Sequence, residues 1–137
     1  MSLFESLSVA GSAMRAQGLR LNITASNMAN AETVSSSIDK TYRAREPVFS
    51  AMYDEFRDNP NSVGVEVKGV VESEAPLHME YRPNHPMANQ DGYIFLPNVN
   101  MIEEMANMIS AQRSYQSNVE VFNASKAMLM RTITLGQ

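Results

Sequence analysis

Proline is the feature that most constrains this chain. Its six copies stand at positions 47, 60, 76, 83, 86 and 97. Residues 1–46 and 98–137 contain none, so long helices are open to both flanks and closed to the middle. Charge divides the chain in much the same places. Residues 1–36 carry Glu5, Arg15, Arg20 and Glu32, and residues 98–137 carry Glu103, Glu104, Arg113, Glu120, Lys126 and Arg131, so each flank sums to zero. The whole net charge of -4 therefore sits in the centre. The chain reads as an N-terminal helix over 1–33, a β-rich centre with loops over 34–97, and a C-terminal helix over 98–137.

The N-terminal flank has a sustained apolar period. Phe4, Leu7, Gly11, Met14, Gly18, Leu21, Ala25 and Met28 alternate spacings of three and four, a heptad seam. One line of the seam is large (Leu7, Met14, Leu21, Met28). The other becomes small after Phe4 (Gly11, Gly18, Ala25), which lets another backbone come close. Each glycine also weakens the isolated helix by roughly 1 kcal/mol relative to alanine. Ser2 with Glu5 fits a capping box.

The C-terminal flank repeats the device over Met101, Met105, Met108, Gln112, Tyr115, Val119, Phe122, Lys126, Leu129 and Ile133. A second apolar line runs through Val121, Met128 and Leu135. A continuous helix over 101–135 would be about 50 Å long. That is too long for a compact domain of 137 residues, so it must pack on the first flank, on other molecules, or on both. Gln112 and Lys126 within the seam suit register more than stability. Gly136 is a candidate stop. Five of the eleven methionines fall in 101–130, consistent either with a helical core or with an adaptable surface facing several neighbours. The expected fold class is α+β, with long N- and C-terminal helices pairing as a coiled coil and a small central β-rich domain.

In the centre, Val63, Val65 and Val67 alternate with Gly64, Glu66 and Lys68, the period of a strand. Pro47-Val48-Phe49 and Tyr93-Ile94-Phe95-Leu96 are further short strands, and Asp91-Gly92 is a turn signal. Residues 57–62 read as a polar surface loop or hairpin tip, and Thr33–Ser37 as loop.

Composition removes several function classes. Cysteine is absent, which excludes disulfide scaffolds, zinc ribbons and thiol nucleophiles. Eleven basic against fifteen acidic residues leave no basic field for a phosphate backbone, so no nucleic acid is expected as partner. No apolar run approaches the roughly 20 residues of a membrane span, so direct membrane insertion is not expected. The N-terminus lacks the pattern of a cleavable signal peptide.

Motifs of chemistry are equally sparse. His78, Glu80 and His85 have a spacing that fits no common zinc site, and Pro83 and Pro86 exclude a helical metal motif. The histidines read as surface or turn residues. Glu72 and Glu74 would share a strand face, as a solvated acidic pair. Glu103 and Glu104 fit the dipole of a helix start. No nucleophile elbow and no phosphate-binding glycine loop is present. No catalytic, cofactor-binding or metal-binding residue is expected. Asn27 and Asn30 lie on one face near the end of the first helix. They read first as a C-terminal cap, and second as amides fixing the junction between helix and centre or bonding to a neighbour.

Ala25-Ser26-Asn27-Met28-Ala29-Asn30-Ala31 with Thr33 resembles the N-terminal signature of the flagellar rod and hook axial proteins. Leu96-Pro97-Asn98-Val99-Asn100, Glu104-Met105, Ala111-Gln112-Arg113-Ser114-Tyr115-Gln116-Ser117-Asn118 and the ending Leu135-Gly136-Gln137 resemble the matching C-terminal signature. Tyr42-Arg43-Ala44-Arg45, Tyr81-x-Pro83-x-His85-Pro86-x-Ala88-Asn89 and Gly92-Tyr93 are similar to the proximal-rod members of that family. Residues 34–41 and 50–62 carry no matching signature. The resemblance implies a structural subunit with no enzymatic activity and no cofactor. It implies export by the flagellar type III apparatus without a cleavable leader, and a place in the rod that crosses the periplasm. The implied partners are copies of itself, other rod proteins and the export apparatus, in a helical tube that transmits torque and surrounds the export channel.

Glycine-bearing helices of this kind are marginal alone, so the flanks are expected to order largely on assembly. The seams and the asparagine pair put the assembly interface at Leu7, Gly11, Met14, Gly18, Leu21, Asn27, Asn30, Met105, Met108, Tyr115, Val119, Phe122 and Leu129. The alternative function is a discrete helical adaptor or export chaperone whose heptads close within a monomer or dimer.

Overall fold

The computed structural model describes residues 3–53 and 63–135. Helix α1 runs Leu3–Asn30, followed by a 3-10 turn at Ile38–Lys40, strands β1 (Arg45–Met52), β2 (Gly64–Glu72), β3 (His78–Tyr81) and β4 (Tyr93–Leu96), and helix α2 (Met101–Leu135). The absence of proline from both flanks is expressed as helices of 28 and 35 residues. Ser2, Gly136 and the polar run 57–62 lie outside the described residues.

Local chemistry sets the helix ends. Asn100 caps α2, its Oδ1 accepting the N–H of Ile102 at 3.1 Å and of Glu103 at 3.5 Å. At the end of α1, Asn30 donates through Nδ2 to the Ser26 carbonyl at 2.8 Å, while the Asn30 carbonyl accepts the Thr33 N–H and hydroxyl. The centre holds two two-stranded sheets, β1 with β2 and β3 with β4. In the second the strands are antiparallel, with His78 opposite Leu96 and Tyr81 opposite Tyr93. Ser35, in the stretch expected to be loop, forms a bridge on the outer side of β4 with Phe95. Gly92 turns the hairpin at φ +80°, a region that side chains disfavour.

The chain divides into two compact units. One comprises Asn22–Glu46 and Val70–Met108. Its core holds Ile23, Ala44, Ile94, Phe95 and Pro97 together with the polar residues Thr24, Asn27, Ser35 and Thr41. The other comprises Met1–Leu21, Pro47–Gly69 and Ile109–Gln137. Its buried described residues are Ala10, Ser12, Ala16, Ala111 and Ser125, all small. There Ser12 ties α1 to β2, donating to the Val9 carbonyl at 2.8 Å and accepting the Val65 N–H at 3.1 Å. A Cβ on Gly64 would stand 3.0 Å from the Ser12 Oγ, which is why glycine begins β2.

The α+β class with terminal helices and a β-rich centre is present, but the expected coiled-coil pairing is not. Knobs in such a pair must be buried at the seam. On α2 the seam residues Met105, Gln112, Tyr115, Lys126 and Ile133 are exposed, and on α1 Phe4 and Ala25 are exposed. On α2 only Ala111 and Ser125 are buried; Glu104 and Asn118, on the same line, are half-buried, as are the seam residues Met101, Met108, Val119, Phe122 and Leu129. On α1 the best-covered positions include Ala16, Ile23 and Asn27. Each stands two places after the seam positions Met14, Leu21 and Ala25, or about 200° round the helix. Nothing lies within 4 Å of a Cβ built at Gly11 or Gly18, so no backbone of the described chain uses the space they leave.

Candidate functional site

A dense polar junction lies inside the first unit, centred on Asn27. This side chain is 1% exposed. Its Nδ2 donates to the Arg45 carbonyl at 2.9 Å, and its Oδ1 accepts the Arg45 N–H at 3.0 Å and the Tyr42 hydroxyl at 2.8 Å. The amide reproduces the donor and acceptor of a strand partner, so helix α1 is joined to the start of β1 as if by one sheet rung. The carboxyl group of Glu104, in the first turn of α2, lies beside the Asn27 amide and the side chain of Thr24. One buried residue on α1 thus meets the segment 42–45 and the first turn of α2.

A second asparagine closes the other side. Asn98 accepts the Ala44 N–H at 2.8 Å and donates to the carbonyls of Ala75 at 2.9 Å and Ser73 at 3.3 Å. Arg43 donates to the same Ser73 carbonyl at 3.1 Å. Ser73 N–H returns a bond to the Ala44 carbonyl. Arg45 forms an ion pair with Glu72 at 3.2 Å and lies over the Tyr42 ring at 5.5 Å. Glu72 ends β2 and Glu74 lies beyond it, so the two do not share a strand face. Partial burial at the junction lifts the Glu104 carboxyl above its ordinary value of 4.5, aided by the charges of Glu103 and Glu46 and opposed by the Asn27 and Thr24 hydrogen bonds.

The residues expected at an assembly interface fall into distinct environments. Asn27 is buried inside the chain, and Asn30 is half-buried at the end of α1. Leu7, Gly11, Met14, Gly18 and Leu21 are half-buried on α1. On α2, Met108, Val119, Phe122 and Leu129 are half-buried, while Met105 and Tyr115 are exposed. Several large apolar side chains of α2 outside that set are also open to solvent, including Ile102, Ile109, Val121, Met128, Ile133 and Leu135. Sequence reasoning missed the roles of Asn98, Tyr42 and Arg45. The available signal was an asparagine directly after Pro97, between a strand and a helix start, where a side-chain amide has backbone groups to satisfy. The histidines take no part in the junction. His78 is exposed on β3, and His85 accepts the Met87 N–H at its Nδ1 in a turn.

Two family models match the chain, one described as flagella basal body rod protein over residues 7–34, the other as flagellar basal body rod FlgEFG protein C-terminal over residues 90–135. The flagellar basal-body rod protein FlgC of Salmonella typhimurium is 44% identical over 137 residues, covering all of both chains. That of Yersinia enterocolitica is 43% identical over the same span. The Borreliella burgdorferi FlgC is 34% identical over 151 residues, covering all of this chain and 99% of that one. The chain belongs to the FlgC family of flagellar basal-body rod proteins. In this FlgC-family chain the two matched segments meet at the junction: Thr24 and Asn27 come from the first, Asn98 and Glu104 from the second. Among the described residues no helix is long and apolar enough to cross a membrane.

Proposed function

We propose that this chain is a structural subunit of the proximal rod of the bacterial flagellar basal body. The observation that carries the reading is the 44% identity to a basal-body rod protein across the whole of both chains. Its role is mechanical rather than catalytic. Copies of the chain and other rod proteins cover the open apolar residues of α2, and they contact Leu7, Met14 and Leu21 on α1 and Met105, Tyr115, Phe122 and Leu129 on α2. Contacts of this kind are heterologous and repeat helically, so they build a tube and share torque among many weak sites. The small-residue core of the second unit supports this reading, because a core of Ala and Ser leaves much of the stability to be supplied by neighbours. The chain crosses into the periplasm through the flagellar type III apparatus while its helices are still unformed.

The open apolar residues of α2 disfavour an adaptor or export chaperone whose heptads close within a single chain, which would bury them. Deletion of the gene tests the proposal. Basal bodies should lack complete rods and the cells should not swim. Complete rods and normal swimming in the deletion strain would overturn it.

A further inference from the structure

We propose that Met105, Met128 and Met130 of α2 are sites of oxidation by hydrogen peroxide, and that sulfoxide formed there keeps the free chain out of the rod. The second part rests on the reading that neighbours cover the open residues of α2, and the first does not. The three side chains are 50%, 50% and 56% exposed. Met101 and Met108, on the same helix, are half-buried. Met105 stands three places after Ile102, which is also open, so the two share a helix face. Met128 stands midway between Val121 and Leu135 at heptad spacing, and both of these are open. Met130 stands three places before the open Ile133. The three thioethers are therefore within reach of a small oxidant, and each lies beside apolar side chains that are themselves open.

The step balances with peroxide as the only co-reactant. The Sδ lone pair attacks one peroxide oxygen, the O–O bond breaks and an S–O bond forms. The attacking oxygen gives up its proton to the departing one, which leaves as water. Sulfur loses two electrons and the peroxide gains them. A flexible apolar side chain thereby becomes polar, and its new acceptor oxygen would have to be stripped of water on docking. Sulfoxide reductases restore the thioether, so the block is reversible. Met79 and Met87 are open as well, but they stand on β3 and in the loop after it rather than on α2. They serve as the reference, oxidised as readily but without effect on entry into the rod.

The first test treats the purified full-length chain with hydrogen peroxide and follows oxygen uptake at each methionine by peptide mass mapping. Met105, Met128 and Met130 should be oxidised several-fold faster than Met101 and Met108. Equal rates overturn the assignment of the sites. The second test supplies variants to cells that lack the gene and measures the chain in isolated basal bodies. Glutamine is polar like the sulfoxide and of similar length. The triple variant Met105→Gln, Met128→Gln, Met130→Gln should enter rods several-fold less than the native chain. The triple variant Met105→Leu, Met128→Leu, Met130→Leu and the single variant Met79→Gln should enter normally. Normal entry of the triple glutamine variant, or an equal loss for Met79→Gln, overturns the block. Circular dichroism of the purified variants separates entry from folding, and if the triple glutamine variant does not fold, Met105→Gln alone decides. Complete rods in the deletion strain would instead overturn the rod-subunit reading and the block with it, while the oxidation rates still decide the sites.

Discussion

Replacing Asn27 by alanine removes a side chain that is 1% exposed and bonded three times. Three groups lose a partner: the Arg45 N–H, the Arg45 carbonyl and the Tyr42 hydroxyl. One of them retains an alternative. The Tyr42 hydroxyl lies 3.3 Å from the Ser26 hydroxyl. The Arg45 backbone groups lose a partner in a region where Asn27 is almost fully covered. Each buried group left unpaired costs roughly 1–3 kcal/mol. The expected loss is therefore about 3–4 kcal/mol, with a small cavity adding to it. Urea unfolding followed by circular dichroism reads this directly. At a slope of roughly 1–3 kcal/mol per molar, the midpoint should fall by about 1–4 M. Asn30→Ala is the control, because Asn30 is half-buried and its amide bonds only the Ser26 carbonyl of the same helix. Its loss should be about 1 kcal/mol or less. Equal midpoints for Asn27→Ala and the native chain would refute the junction as a stabilising centre. A larger loss for Asn30→Ala would refute the ranking of the two amides.

Gly92→Ala should destabilise the β3–β4 hairpin by about 1–2 kcal/mol through its left-handed backbone. The new Cβ would also stand 2.8 Å from the Tyr81 ring, so exchange protection of the Arg82 N–H bonded to the Gly92 carbonyl should fall. Gly18→Ala should strengthen α1 in the free chain by up to about 1 kcal/mol, since nothing lies within 4 Å of the added carbon, and helicity by circular dichroism checks it. Gly18→Leu should enter rods less than the native chain if a neighbouring subunit occupies that space, and normal incorporation would remove Gly18 from the interface. Met105→Lys, at a side chain 50% exposed, should leave the stability of the free chain within about 0.5 kcal/mol yet reduce swimming in a complementation assay.

The helices were legible because their signal is local. Absence of proline and a repeating apolar spacing sufficed to mark both flanks, and Val65, Val67 and Tyr93–Leu96 marked β2 and β4. Strand β3, His78–Tyr81, was not legible. His-Met-Glu-Tyr has no alternation of its own, all four residues are exposed, and the strand is set by pairing with β4. The phase of burial on the helices was also hidden. The two buried residues of α2, Ala111 and Ser125, are small, so its best-covered positions carry almost no hydrophobic signal. Apolar periodicity marks faces that are buried somewhere, and it does not say whether the cover comes from the same chain. The site was half legible for the same reason. Asn27 stood out by residue type and by the family signature, but its partner is a backbone eighteen positions away, which no local pattern encodes.

The unit whose described buried residues are Ala10, Ser12, Ala16, Ala111 and Ser125 has a consequence for the lifetime of the protein in the cell. Small side chains interlock little, so opening that unit is cheap and fast until neighbours cover it. Proteolysis of a transiently opened state follows the population of that state. A copy outside the rod should therefore be cut by protease faster than a copy covered by neighbours, and pulse-chase of the chain in cells with and without rod assembly checks this.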